Sequence, residues 1–290
     1  MHPAPSVILF TSLSGLGFGL LAWLGLGLPP VTGWVAFVFY LLAYGLAVGG
    51  LIASTFHLGN RKNAIKAFSQ WRSSWLSREG IMAIATLLIL APHAFSQVFS
   101  GEPIRALGFV GALCALATVF TTSMIYTQLK TVPRWHTPLT PALFMAYALA
   151  GGGLLAGQVR AAMVLLLVLG VVQVLYWLRT DAKGALADTT AETATGLGRI
   201  GKTRLLEPPH SGQNYLLREM AYDVGRKHAR KLRIIALACA VVLPVILLLL
   251  IPVSHALAVL AILLHLCGVL ASRWLFFAEA QHVVRLYYGK

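Results

Sequence analysis

The chain has 290 residues, of which 58% are hydrophobic and 11% charged, where a soluble chain would carry about a quarter charged residues. Those values exclude a soluble globular domain and indicate a polytopic membrane protein. The net charge of +14 does not require nucleic acid, because basic loops fix membrane topology and meet anionic lipid or an acidic partner.

Charge placement divides the chain, since a charge at the centre of a spanning helix costs roughly 2.5–3.5 kcal/mol on insertion scales. Residues 1–60 contain no Lys, Arg, Asp or Glu and predict a hairpin, with spans 6–27 and 33–57 joined at Leu28-Pro29-Pro30-Val31-Thr32-Gly33. The opening MHPAPS lacks the basic region of a cleaved signal peptide, so the first run is expected to stay in place as a helix. Further spans are predicted at 79–100, 106–129, 138–158, 161–178, 233–252 and 255–277, the last two separated by Pro252-Val253-Ser254-His255. The predicted fold class is an all-α polytopic membrane protein, a single membrane-anchor domain over residues 1–290. It has eight transmembrane helices and both termini on the same side. The loop 179–232 is the one sizeable soluble part. Leu217, Met220, Ala221, Val224 and His228 form a stripe at helical spacing there and predict a surface helix.

With eight spans, the loops 58–78, 130–137 and 179–233 and the C-terminal region share one side and carry 21 of the 23 Lys and Arg residues. Arg273 is counted in that C-terminal group, and Arg105 and Arg160 fall on the other side. The positive-inside rule then makes the cation-rich side cytoplasmic.

Three chemistries can be tested against the residues. Gly196-Leu-Gly-Arg-Ile-Gly-Lys-Thr203 matches a phosphate-binding loop by letter. That mechanism needs a buried strand before the loop and a helix after it, and DAKGALADTTAETAT is no buried strand. No metal site is expected: Cys114, Cys239 and Cys267 are far apart and too few for an iron–sulfur cluster. For a haem b, His93 and His255 are the first candidates, at similar depth on the non-cytoplasmic side, against the plainer reading of two interfacial histidines bonded to water or backbone. His265 lies mid-span and is expected to bond a neighbouring helix.

The stretch from Phe56 to Met82 holds the densest chemistry. His57 closes the second span and Glu79 opens the third, at the same depth. Gly59 lets the chain turn, and Arg61, Trp71, Arg72, Ser74, Trp75 and Arg78 follow. Trp71, Ser74, Trp75 and Arg78 are spaced i, i+3, i+4, i+7 and predict one face of a short surface helix. A quinone needs a flat apolar slot, a donor for each carbonyl and a proton carrier. Tryptophans supply the slot, His57 can donate, and Glu79 at a dielectric boundary can relay protons. The alternative is that the Trp and Arg residues are interfacial anchors and that Glu79 caps the third span.

His57-Leu58-Gly59 and Leu76-Ser77-Arg78-Glu79 resemble the quinone-site segment of the membrane-anchor subunits of the dimethyl sulfoxide reductase family. Leu129-Lys-Thr-Val-Pro-Arg-Trp-His-Thr-Pro138 shares the resemblance. Pro209-His-Ser-Gly-Gln-Asn-Tyr-Leu-Leu-Arg-Glu-Met220 and Arg273-Trp-Leu-Phe-Phe-Ala-Glu-Ala280 are similar to the branch serving quinone-linked sulfite dehydrogenases. The resemblance implies that His57 and Glu79 act at a quinone (ubiquinone or menaquinone), in a haem-free anchor of the bacterial inner membrane. It implies two partners, a four-cluster iron–sulfur subunit and a molybdopterin catalytic subunit; the charge count puts them on the cytoplasmic face, which fits sulfite oxidation. The alternatives are a quinol-oxidising anchor of an S- or N-oxide reductase, and a transporter or proton channel. The channel is disfavoured because Asp, Glu, Lys and Arg are absent from the span centres, so turnover is expected not to pump protons.

Overall fold

In the computed structural model the described residues are 1–56, 64–184, 186, 189–207, 212, 214–220, 228–250 and 254–288, and they contain no β-strand. The long helices are α1 (Pro5–Gly25), α2 (Gly33–Thr55), α3 (Trp75–Phe99), α4 (Arg105–Thr127), α5 (Leu139–Leu155), α6 (Val159–Ala182), α7 (Ala229–Leu249) and α8 (His255–Ala278). Among the described residues seven are long and apolar enough to cross a membrane, and α5, with 17 residues, is the shorter apolar one.

Each helix contains a charge-free run, but the ends differ from expectation. α6 continues through Arg179 and Asp181, and α7 starts at Ala229 rather than at 233. A charge is costly only inside the hydrocarbon layer, so a helix can run on past it. His228, expected on the stripe of a loop helix, immediately precedes α7. Of that stripe, Ala221 and Val224 lie outside the described residues, which show a five-residue helix at Tyr215–Glu219.

α1 is the centre of the bundle and packs on α2, α4, α5 and α8. Lipid tails are as apolar as leucine, so close backbone approach rather than hydrophobic segregation drives such contacts. At Gly19 a Cβ would lie 2.0 Å from the Ala148 carbonyl oxygen of α5, so only hydrogen fits.

α7 contains a π turn at Ala238–Val242, directly before Pro244. Proline has no N–H, so it cannot serve a carbonyl one turn back. His265 of α8 gives this turn a donor from outside the helix, with Nδ1 2.7 Å from the Ala240 oxygen. Nδ1 must therefore carry the proton. The sequence-based expectation that His265 bonds a neighbouring helix describes this contact.

At the end of the bundle where α6 finishes and α7 begins, four charged residues lock four segments. Arg134, in the α4–α5 connection, bonds Asp181 at 2.9 Å and Glu279 at 2.7 Å. Arg233 reaches the same two carboxylates at 2.5–2.9 Å. Arg134 and Glu279 are both buried. The Met1 ammonium group donates to the Ala280 carbonyl at this same end.

Candidate functional site

The residues before α3 do not extend it as a surface helix. Ser73 and Ser74 both donate backbone N–H groups to the Gln70 carbonyl, which turns the chain, and α3 begins at Trp75. Ser74 is the N-cap, its hydroxyl accepting from the Ser77 N–H at 3.4 Å. The i, i+3, i+4, i+7 spacing therefore does not mark one helical face, because a capping serine preceded by a turn interrupts it.

Arg78 organises the outer side of this turn. Its Nε donates to the Trp71 carbonyl at 2.9 Å and its Nη2 to the Arg72 carbonyl at 2.6 Å. The guanidinium lies 4.3 Å from the centre of the Trp75 ring, and Trp75 stands edge-on to Phe120. Trp71, Arg72, Ser74, Trp75 and Arg78 thus form one cluster, with Trp71 and Arg72 exposed. His57, Gly59 and Arg61 lie outside the described residues.

Glu79 points the other way, into the bundle, and is 4% exposed. Its carboxylate accepts from the Thr122 hydroxyl of α4 at 2.6 Å. Thr122 has a second acceptor in the Thr118 carbonyl at 2.9 Å, so its single proton can turn between two partners. Glu79 is not a helix cap: Ser74 does that, and Glu79 lies a turn further in. Tyr126, one turn beyond Thr122, is in electrostatic reach of both Glu79 and Arg273.

One helical turn from this acid lies a cavity of about 660 Å³, within the range for sites that enclose a small organic ring; Glu79 itself is not in its wall. Leu76, one turn before Glu79 on α3, forms part of its wall, and so do Tyr126, Trp135 and Phe277. Ser54 at the end of α2 is also in the wall, three residues before His57. Tyr215, Glu219 and Met220 close it from the loop side. The aromatic wall is packed ring against ring. Trp135 stacks on Phe276 at 5.3 Å, its indole N–H donates to the Phe276 carbonyl at 2.9 Å, and Tyr126 meets Trp135 edge-on at 5.3 Å. Charge and spacing do not single out these wall residues. The signal for them is the family-like strings Leu129–Pro138, Pro209–Met220 and Arg273–Ala280, which converge here.

The two haem candidates occupy different settings. His93 is buried in α3, with Nδ1 3.0 Å from the Ile104 carbonyl oxygen and its ring edge-on to Tyr40. His255 is exposed as the first residue of α8. Among the described residues no group of His, Cys, Asp and Glu has the arrangement to hold a metal ion. The phosphate-loop lookalike also lacks its frame. Gly196 ends a five-residue helix, Ala191–Thr195, and the Thr203 N–H donates to the Glu192 carboxylate at 3.1 Å.

A family model described as a domain of unknown function, DUF4401, matches residues 63–280. The C subunit of the sulfite dehydrogenase of Allochromatium vinosum is 31% identical, the match covering 99% of each chain. The chain belongs to the family of sulfite dehydrogenase C subunits. The match to this relative runs the full length of the helical bundle and so includes every segment in the wall of the cavity beside Glu79. With its apolar helices, this family member is a multi-pass membrane protein. No solved structure matches the chain.

Proposed function

We propose that this chain is the quinone-reactive membrane subunit of a sulfite-oxidising complex, and that quinone is reduced in the cavity beside Glu79. The observation that carries the reading is convergence. Leu76 at the α3 start, Trp135 of the 129–138 connection, Tyr215, Glu219 and Met220, and Phe277 near the end of α8 are distant in sequence, and all line one aromatic-walled cavity a helical turn from the buried Glu79.

Sulfite and water give sulfate, two electrons and two protons at a molybdopterin partner. The electrons pass through a partner iron–sulfur subunit, and a quinone takes two electrons and two protons to become quinol. Trp135, Tyr126 and Phe277 offer flat walls for the ring. Glu79 holds a proton at the edge of the hydrocarbon layer and passes it toward a quinone oxygen, with Thr122 fixing the carboxyl's orientation. His57, a few residues beyond the Ser54 wall, donates to a quinone carbonyl. In this reading all eight long helices cross the bacterial inner membrane. The termini and cation-rich loops are cytoplasmic, which puts both partners there, and proton uptake is local.

The test uses the purified complex of all three subunits with Glu79→Gln. Quinone-linked sulfite oxidation should fall by about a hundredfold, the lower range for a positioned proton carrier. Sulfite oxidation with an artificial acceptor, which bypasses this chain, serves as the measure of assembly. Unchanged quinone turnover in an assembled Glu79→Gln complex overturns the site.

A further inference from the structure

Arg273 is a cation in the interior of a membrane bundle. It is 2% exposed, its guanidinium carbon lies 3.7 Å from the centre of the Phe144 ring, and its Nε and Nη1 meet no acceptor among the described residues. An ionised group so placed is costly unless compensated, and in membrane proteins such groups mark functional sites. Arg273 borders a small cavity between α1, α4, α5 and α8, with about 10 Å³ available to the centre of a water molecule, the size of a single-water site.

The other polar groups in that cavity wall are hydroxyls whose protons are committed elsewhere. Thr11 donates to the Val7 carbonyl at 2.9 Å and Ser14 to the Phe10 carbonyl at 2.6 Å. Thr122 donates to Glu79 or to the Thr118 carbonyl. The cavity therefore offers guanidinium N–H donors on one side and oxygen lone pairs on the other. A water molecule satisfies both, accepting from Arg273 and donating to the hydroxyl oxygens. A chloride ion satisfies only the first.

We propose that a single internal water in this cavity links Arg273 to Thr122 and through it to Glu79, making Arg273 the charge partner and positioning residue of the Glu79 carboxyl. The proposal rests on the quinone reading for its functional consequence, but the link itself does not. When Glu79 gives up its proton, the negative charge left behind faces a fixed cation across one hydroxyl and one water. No bond to Arg273 forms or breaks.

The experiment uses the intact complex with Arg273→Met, Arg273→Lys and Val119→Leu, the last enlarging a buried wall residue of the cavity while leaving Arg273 in place. The first readout is the infrared carboxyl band of Glu79, identified by its loss in Glu79→Gln. It should move in Arg273→Met and in Val119→Leu and stay near its original position in Arg273→Lys. The second is quinone-linked kcat, normalised to artificial-acceptor turnover. Arg273→Met should lower it about tenfold, Arg273→Lys should restore most of the loss, and Arg273→Met should have no further effect in the Glu79→Gln background. A carboxyl band that is unmoved in Arg273→Met and in Val119→Leu overturns the link. So does an equal kcat loss with and without Glu79. If Glu79→Gln leaves quinone turnover intact while the band still moves, the quinone reading fails and the link stands.

Discussion

His265 stands 2.7 Å from the carbonyl oxygen of Ala240, in the π turn that precedes Pro244. Replacing His265 with Leu strands a buried carbonyl, at a cost of about 1–3 kcal/mol. Pro244→Ala supplies an N–H from within α7, so the same His265→Leu change should cost less in that background. Thermal midpoints of the two single variants and the double variant in detergent measure this. Equal costs in both backgrounds mean that the histidine does not serve the proline.

Breaking the ionic lock should be felt unequally by its two carboxylates. Glu279 is buried between Arg134 and Arg233, whereas Asp181 is 44% exposed. Glu279→Gln leaves the buried Arg134 guanidinium without its buried counter-charge and should destabilise by about 3–5 kcal/mol. Asp181→Asn removes the more exposed carboxylate and should cost about 1 kcal/mol or less. Denaturation in mixed micelles ranks the two, and a reversed order sinks the assignment of Glu279 as the buried keystone.

Filling the cavity should raise the quinone KM without disturbing the acid. Leu76 lies in the cavity wall a turn before Glu79, so Leu76→Trp extends a ring into the space. An increase of about tenfold in KM, equivalent to about 1.4 kcal/mol, is the expected result. Titrating quinone against sulfite in the intact complex reads it, and an unaltered KM would falsify the placement of the ring.

Stability at the end of α8 should fall in mild acid. His282 accepts the Val284 N–H on Nδ1 at 3.0 Å, and burial, then the nearby N-terminal ammonium group, lower its pKa below the ordinary value. The unfolded chain takes up a proton near about pH 6.5, before the folded chain does. Stability is thus full above that value and declines as pH drops below it. The thermal midpoint of the wild type should fall between about pH 7 and pH 5 by more than that of His282→Gln. Parallel curves would assign the acid sensitivity to another group.

Parts of the site are legible in the amino-acid sequence, for definite reasons. Glu79 stands out because a carboxylate at the edge of a charge-free run is rare. Its partner Thr122 does not, because a threonine inside an apolar helix carries no mark of what it faces. Trp71, Ser74, Trp75 and Arg78 look like a helical face since spacing cannot reveal that Ser74 ends a turn and starts a helix. Arg273 looks like one more cation near the C-terminus, whereas it is enclosed between Phe144 and Tyr147.

The sequence by itself marked the apolar centre of each helix, because the cost of placing charge in hydrocarbon is local; it did not mark the ends, because a helix can run on past a charge once outside that layer. It could not determine which side of each helix faces inward. Spans that are apolar all round have no period to mark a buried face, and polar threonines, histidines and arginines inside them are identified only by what lies opposite. The tertiary structure decided that Glu79 meets Thr122, that His265 serves Ala240, that Arg134 and Glu279 pair across the ends of four segments, and that the family-like strings share one cavity. Each is a contact between residues distant in the chain, fixed by helix packing.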